Sequence, residues 1–225
     1  MNVFREARLR RRIGVYGGTF DPIHNGHLKV AAVILEAFAL EQMLFVPAFV
    51  PPHKRERAIS DPYHRYAMIA LATQDAPAML VSSIELEAPA RPYTIETLQR
   101  LQAEQKNAQL FFIMGADSFV DITSWHEYAR LLNEFDLIVA ARPGYCQELN
   151  LTAHLAPRLQ AQVVDLRGGQ RPSDGMLTAP HIYLTDYLTI DISATEIRKA
   201  ISEGRAIDDF VPPSVARYIE KHDFY

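Results

Sequence analysis

"GVYGGTFDPIHNGHLKVA", residues 14–31, decides how the whole chain is read. A short apolar run, "IGVYG" (13–17), ends in the paired glycines Gly17 and Gly18, and an amphipathic pattern, "GHLKVAAVILEAFAL" (26–40), follows within ten residues. The first has the length and composition of a strand, and the second has apolar positions that fit a helix packed on a sheet. A strand that passes through glycines into a helix is the opening unit of an open parallel sheet, in which ligands sit beyond the carboxyl ends of the strands. Between the two elements lie Thr19, Asp21, Pro22 and the pair His24 and His27.

The alternation continues along the chain. "MLFVPA" (43–48) reads as a second strand and "DPYHRYAMIALATQ" (61–74) as a helix, with Ser60 or Asp61 as cap and Pro62 in the first turn. "AMLVSSIEL" (78–86) reads as a strand and "TIETLQRLQAEQ" (94–105) as a helix. "AQLFFIMGADS" (108–118) and "FDLIVAARPG" (135–144) are nearly continuous apolar runs, as expected of strands covered on both faces. "DLRGGQRPSDGMLTAP" (165–180) reads as a long surface loop before the strand "HIYLT" (181–185). Two short helices, within 192–204 and 212–222, close the pattern. The expected fold class is α/β: a doubly wound, Rossmann-like parallel sheet with helices on both faces and a small C-terminal helical portion. Residues 13–225 are expected to form a single domain, preceded by a basic arm at 1–12.

Composition excludes several classes. With 225 residues, 48% hydrophobic and 22% charged, the chain has ordinary globular chemistry and enough length for a sizeable core. A net charge of −4 gives no general electrostatic case for a nucleic-acid or membrane partner. Five arginines crowd into "MNVFREARLRRR", but Glu6, the lack of serine and the immediate first strand favour a solvated arm over a targeting peptide. No run approaches the ~18 apolar residues that span a bilayer. Cys146 is the single cysteine, so a Cys-rich zinc site is excluded, and this usage suits a reducing cytoplasm.

At the first turn, Gly17 and Gly18 allow a phosphate close to the backbone, and the following helix start adds N–H groups and a positive dipole end. The spacing is not G-x-G-x-x-G, and no G-x-x-x-x-G-K-[ST] occurs, which removes the dinucleotide fingerprint and the Walker loop. A zinc reading of His24 and His27 lacks a further ligand at zincin spacing. Two histidines three apart beside such a turn can instead donate N–H groups to phosphate oxygens; the plain alternative is a pair of exposed loop residues.

Further along, Ser193 and Thr195 stand near a helix start with Arg198 one turn on, either as ordinary capping or as a second phosphate grip. Asp117, in "GADS", is equally readable as a ribose or pocket ligand and as the cap of the next helix. Lys54, after "PPH", and Trp125, the single tryptophan, each have the ordinary readings of a solvated charge and a packed side chain.

"GGTFDPIHNGH" resembles the (H/T)xGH signature of the nucleotidylyltransferase superfamily. The ordered blocks "PAFVPPHK", "RPYTIETL", "GADS", "SW", "RPG", "ISATEIR" and "VPPSVARYI" extend the resemblance, over about residues 13–222, to the bacterial nicotinate-nucleotide adenylyltransferases. The resemblance implies transfer of AMP from ATP to nicotinate mononucleotide, giving deamido-NAD and pyrophosphate in NAD biosynthesis. It assigns catalysis to His24, His27, Lys54 and Arg198, with His53 supporting Lys54. ATP falls to Gly17, Gly18, Thr19, Phe20, Gly26, Asp117, Ile192, Ser193 and Thr195, with "ISATEIR" on the β- and γ-phosphates. The pyridine ring stacks on Trp125, and its carboxylate meets backbone N–H groups near Thr94 and His126. Mg²⁺ is expected to ride mainly on the ATP phosphates, and the partners are these small molecules alone. The chain departs from the family wording at Ala194, where a serine is usual, and at Pro92, likewise. Pantetheine-phosphate adenylyltransferase, nicotinamide-nucleotide adenylyltransferase and an ATP-sensing module without turnover are the competing readings. Cytidylyltransferases are more remote, since "DISAT" stands where they carry R-T-x-G-I-S-T.

Overall fold

The computed structural model describes residues 10–49, 59–141, 151–173, 180–188 and 192–225. Among them, seven strands form one sheet: β1 (Arg11–Gly18), β2 (Gln42–Pro47), β3 (Met79–Val81), β4 (Ala108–Gly115), β5 (Asp136–Ala140), β6 (Val163–Asp165) and β7 (Ile182–Thr185). The helices are α1 (Asn25–Ala37), α2 (Pro62–Thr73), α3 (Thr94–Glu104), α4 (Ala116–Val120), α5 (Tyr128–Glu134), α6 (Pro157–Gln160), α7 (Ala194–Ser202) and α8 (Pro213–Lys221). A 3₁₀ turn, Ile122–Ser124, separates α4 from α5. The strand order is β3-β2-β1-β4-β5-β7-β6 and every pairing is parallel, the doubly wound arrangement expected from the alternation. β1 already begins at Arg11, paired with Ala108, so Arg11 and Arg12 lie in the strand.

The two faces of the sheet are read off β4, whose side chains alternate between two cores. Leu110, Phe112 and Met114 pack with Val15 and Val139 under α3, α5 and α6. Phe111 and Ile113 pack with Phe45 and Tyr183 under α1, α2, α7 and α8. Each fully buried side chain of this size contributes about 1.5–3 kcal/mol, which is why a strand covered on both faces needs no polar alternation.

The expected strand 78–86 is much shorter. It pairs only over Met79–Val81 and then turns. Local bonds compete with the ladder there: the Ser82 hydroxyl accepts the Ile84 N–H at 3.3 Å, and the Ser83 main-chain carbonyl accepts the Glu87 N–H at 3.0 Å as the chain turns. Ile84 and Leu86 are buried all the same, and their alternation imitates a strand. α6 and β6 lie where the sequence reading placed no element. Asp61, not Ser60, caps α2, accepting the Tyr63 N–H at 2.9 Å. Of the 165–180 loop, residues 174–179 lie outside the described residues, as does Cys146. Among the described residues no helix is long and apolar enough to cross a membrane.

At the amino end of β5, Asp136 is buried and accepts from Gln109 Nε2 at 2.8 Å and from the His181 N–H at 3.0 Å. Burial dominates over these bonds and pushes its carboxyl up to about 6. A carboxyl raised on folding adds stability in its protonated form; that contribution is full below pH ~4 and is lost as pH rises through the folded value. Asp136→Asn abolishes this titration. Denaturant midpoints are therefore expected to show wild type losing about 3 kcal/mol relative to Asp136→Asn between pH 4 and pH 7.5. A pH-independent difference between the two proteins would refute the assignment.

Candidate active site

The strand order reverses between β1 and β4: from β1 the chain works outward to β2 and β3, then crosses back to β4 on the other side. Their carboxyl ends, Gly18 and Gly115, bound a cavity of about 640 Å³. The place is where open α/β sheets hold ligands.

One wall is the turn that follows β1. A Cβ on Gly17 would lie 2.9 Å from the Phe112 ring, and one on Gly18 would lie 2.9 Å from the Phe20 ring, so glycine is required by packing as well as by access. Phe20 itself takes the left-handed conformation, with φ at 51°. Gly17, Gly18, Thr19, Phe20, His24, Gly26 and His27 all line the cavity.

His24 is the N-cap of α1 and His27 its third helical residue, and the two close a reciprocal capping box. His24 Nδ1 accepts the His27 N–H at 3.4 Å, while His27 Nδ1 accepts the His24 N–H at 3.3 Å. The rings stack with centroids 3.7 Å apart. Because each Nδ1 accepts, the proton of each neutral ring resides on Nε2, the nitrogen turned away from the helix backbone. Thus a local capping arrangement dictates the tautomer, and both rings offer Nε2–H as donors. His24 is buried, which disposes of the exposed-loop reading for it.

A second group lines the same cavity. Ile192, Ser193 and Thr195 line the cavity at the start of α7. Ser193 does cap α7, its hydroxyl accepting the Glu196 N–H at 3.2 Å and donating to Glu196 Oε2 at 2.9 Å. Arg198 is brought to the same corner but is not one of the lining residues: Nη1 donates to the Asp21 carbonyl and Nη2 to the Thr195 hydroxyl at 3.0 Å. Asp117 lines the cavity as the second residue of α4. The N-cap there is Gly115, so the capping reading of Asp117 does not hold. At the far end Thr94, Trp125 and His126 line the same cavity. Trp125 stands edge-on to Phe112, with centroids 6.3 Å apart, and His126 stacks on Tyr93 at 4.0 Å. His53 and Lys54 lie outside the described residues.

Three supports of this site have no counterpart in the sequence reading. Arg65 is buried to 1% exposure and donates to the carbonyls of Thr19 at 2.7 Å, Ala48 at 2.6 Å, Phe49 at 3.3 Å and Ser60 at 3.0 Å. Burial lowers its guanidinium from the ordinary value, opposed chiefly by Asp21. Without it the Thr19 and Ala48 carbonyls each lose a hydrogen bond from a charged donor, worth about 1.5–3 kcal/mol. Its place at the start of the buried stripe Arg65, Met68, Ile69 was the available signal, since the helical period puts all three on one face. Glu85, between buried Ile84 and Leu86, accepts from the Thr97 hydroxyl at 3.0 Å and the Phe49 N–H at 3.3 Å, and burial raises its carboxyl. It ties the exit of β2 to α3, and it lines the cavity. Tyr225 donates to Asp21 at 2.6 Å, a contact across 204 positions that no local pattern announces. Among the described residues no group of three or more His, Cys, Asp or Glu side chains is arranged to hold a metal ion.

A doubly wound sheet with a histidine pair at the β1 exit and a second polar helix start lining the same cavity defines the class. The sequence profile of the cytidylyltransferase-like family matches residues 15–200, and the chain belongs to that family. The chain is similar to "Probable nicotinate-nucleotide adenylyltransferase" of Desulfatibacillum aliphaticivorans, 36% identical over 95% of this chain and 99% of that protein. It is 38% identical to the protein of the same name from Thermomicrobium roseum, over 95% and 91% of the two chains. Among solved structures, it resembles the Plasmodium falciparum nicotinic acid mononucleotide adenylyltransferase complexed with NaAD. That likeness has a TM-score of 0.67 at 21% identity, over 96% of this chain and 98% of that one, and speaks for the fold.

Proposed function

We propose that this chain is a nicotinate-nucleotide adenylyltransferase, joining the AMP moiety of ATP to nicotinate mononucleotide and releasing pyrophosphate. The observation that carries this reading is a single cavity that holds both the signature turn with its Nε2–H donors and, at its other end, Trp125 with the Thr94 and His126 backbone. The substrate's own phosphate oxygen is the nucleophile and is already anionic at neutral pH, so neither a strong general base nor a covalent intermediate is needed. The new bond forms between that oxygen and the α-phosphorus while the bond to the pyrophosphate oxygen breaks in line. Catalysis then rests on positioning and on stabilising charge that spreads over the phosphates.

In this scheme His24 and His27 donate from Nε2 to the reacting phosphate, where preorganised donors act with most effect. The α7 start, with Ser193 and Thr195, receives the β- and γ-phosphates, and Lys54 adds a cation from the segment beyond β2. Asp117 serves the nucleoside. Trp125 supplies the face for the pyridine ring. Mg²⁺ fits as an ion carried by the phosphates themselves, since among the described residues no group of three or more His, Cys, Asp or Glu side chains could hold one; bound there, it would neutralise phosphate charge. A cytoplasmic setting, supported by the single Cys146, goes with this reading.

Pyrophosphate release from ATP tests it, with nicotinate mononucleotide, nicotinamide mononucleotide and phosphopantetheine assayed side by side. The expected order is nicotinate far ahead of nicotinamide, with none for phosphopantetheine. Release with phosphopantetheine alone would reassign the acceptor, and no release with any of them would make the chain an ATP-binding module.

A further inference from the structure

A buried polar cluster ties the signature turn to distant parts of the chain at Asp21, which is 4% exposed. Its Oδ1 accepts from the Tyr225 hydroxyl at 2.6 Å. Its main-chain carbonyl accepts from Arg198 Nη1, while that nitrogen stands 4.0 Å from Asp21 Oδ2. The other arm of the same guanidinium donates to Thr195. Arg198 therefore spans from the signature turn to the first turn of α7, the two elements between which the triphosphate is placed. Arg65 holds the Thr19 carbonyl of the same turn at 2.7 Å and also feels the Asp21 carboxylate.

A buried carboxylate with both oxygens open to an arginine draws the guanidinium into a two-point pair. Here Tyr225 occupies one of them. Burial and the neighbouring Asp21 carboxylate both raise the Tyr225 hydroxyl, which keeps it protonated and a donor. The arginine is thereby left on the carbonyl and on Thr195, and does not fold back onto the carboxylate.

We propose that Tyr225 is a positioning residue for adenylyl transfer: by holding Asp21 it keeps Arg198 stretched between the turn and α7 and so sets the width of the slot for the ATP phosphates. The proposal rests on the reading that these two elements receive those phosphates. Nothing in it requires Tyr225 to touch a substrate.

Tyr225→Phe removes one oxygen and leaves the ring. The expected result is a rise of about 10-fold in KM for ATP, with kcat lowered several-fold and KM for nicotinate mononucleotide unchanged within about 2-fold. In the Tyr225→Phe/Asp21→Asn double variant the carboxylate that draws Arg198 away is gone, and KM for ATP returns toward wild type. On an Arg198→Ala background, Tyr225→Phe adds no further rise. Thermal unfolding checks folding; if the single variant is strongly destabilised, the double variant measured against Asp21→Asn alone carries the same comparison. Unchanged kinetics in Tyr225→Phe, equal losses for both substrates, or no relief by Asp21→Asn would overturn the proposal. If Arg198→Ala and Thr195→Ala also leave KM for ATP untouched, the phosphate assignment itself fails; if they raise it and Tyr225→Phe does not, only the role of Tyr225 fails.

Discussion

His27→Ala is expected to lower kcat by about 10²–10³-fold while the protein stays folded, because it removes an Nε2–H aimed at developing phosphate charge. The geometry separates this effect from a collapse of α1. The main-chain N–H at position 27 survives the substitution and still reaches His24 Nδ1, so the capping bond that anchors the first turn is kept. What is lost from the helix is the partner of the His24 N–H, worth about 1 kcal/mol on the scale of N-cap substitutions. A melting temperature lowered by a few degrees with kcat reduced as stated is the expected pair of results. An unchanged kcat in folded protein would remove His27 from the mechanism.

Trp125→Ala should raise KM for nicotinate mononucleotide by roughly 10- to 100-fold, the range set by loss of an aromatic stacking face, while KM for ATP moves little. The indole stands edge-on to Phe112 in the cavity and packs on the core under α3 and α5, whereas α7 packs on the other core. Its Nε1 is buried with no hydrogen-bond partner among the described residues, an arrangement a purely structural tryptophan rarely tolerates. Trp125→Phe should recover much of the affinity, since a six-membered ring still offers a face. Equal losses for both substrates in Trp125→Ala would instead mark the residue as packing.

How far the sequence carried the fold depended on the range of the forces involved. β4 and β5 were legible because continuous burial leaves continuous apolar runs, and the signature turn because glycines and a helix start leave a compact pattern. β6 was not: three residues with the last exposed carry too little hydrophobic signal. The strand expected through Leu86 failed because the Ser82 hydroxyl and the Ser83 main-chain carbonyl bond N–H groups two and four residues on, a competition that apolar alternation cannot display. At the site, local motifs announced His24, His27 and Ser193. Glu85 and Tyr225 escaped, since their partners lie 36 and 204 positions away along the chain. Arg198 was legible as a neighbour of Ser193 and Thr195 at one helix start. Its reach onto the Asp21 carbonyl, 177 positions away, was not.

The reciprocal cap of α1 has a consequence for how this protein can change. Serine or aspartate at position 24 would be a better helix cap than imidazole, so selection for heat resistance alone pushes that position away from histidine. The same replacement removes the His24 imidazole and its Nε2–H, although the main-chain N–H at position 24 still bonds His27 Nδ1 and holds that tautomer. On the proposed role of His24, stability and turnover compete for a single side chain.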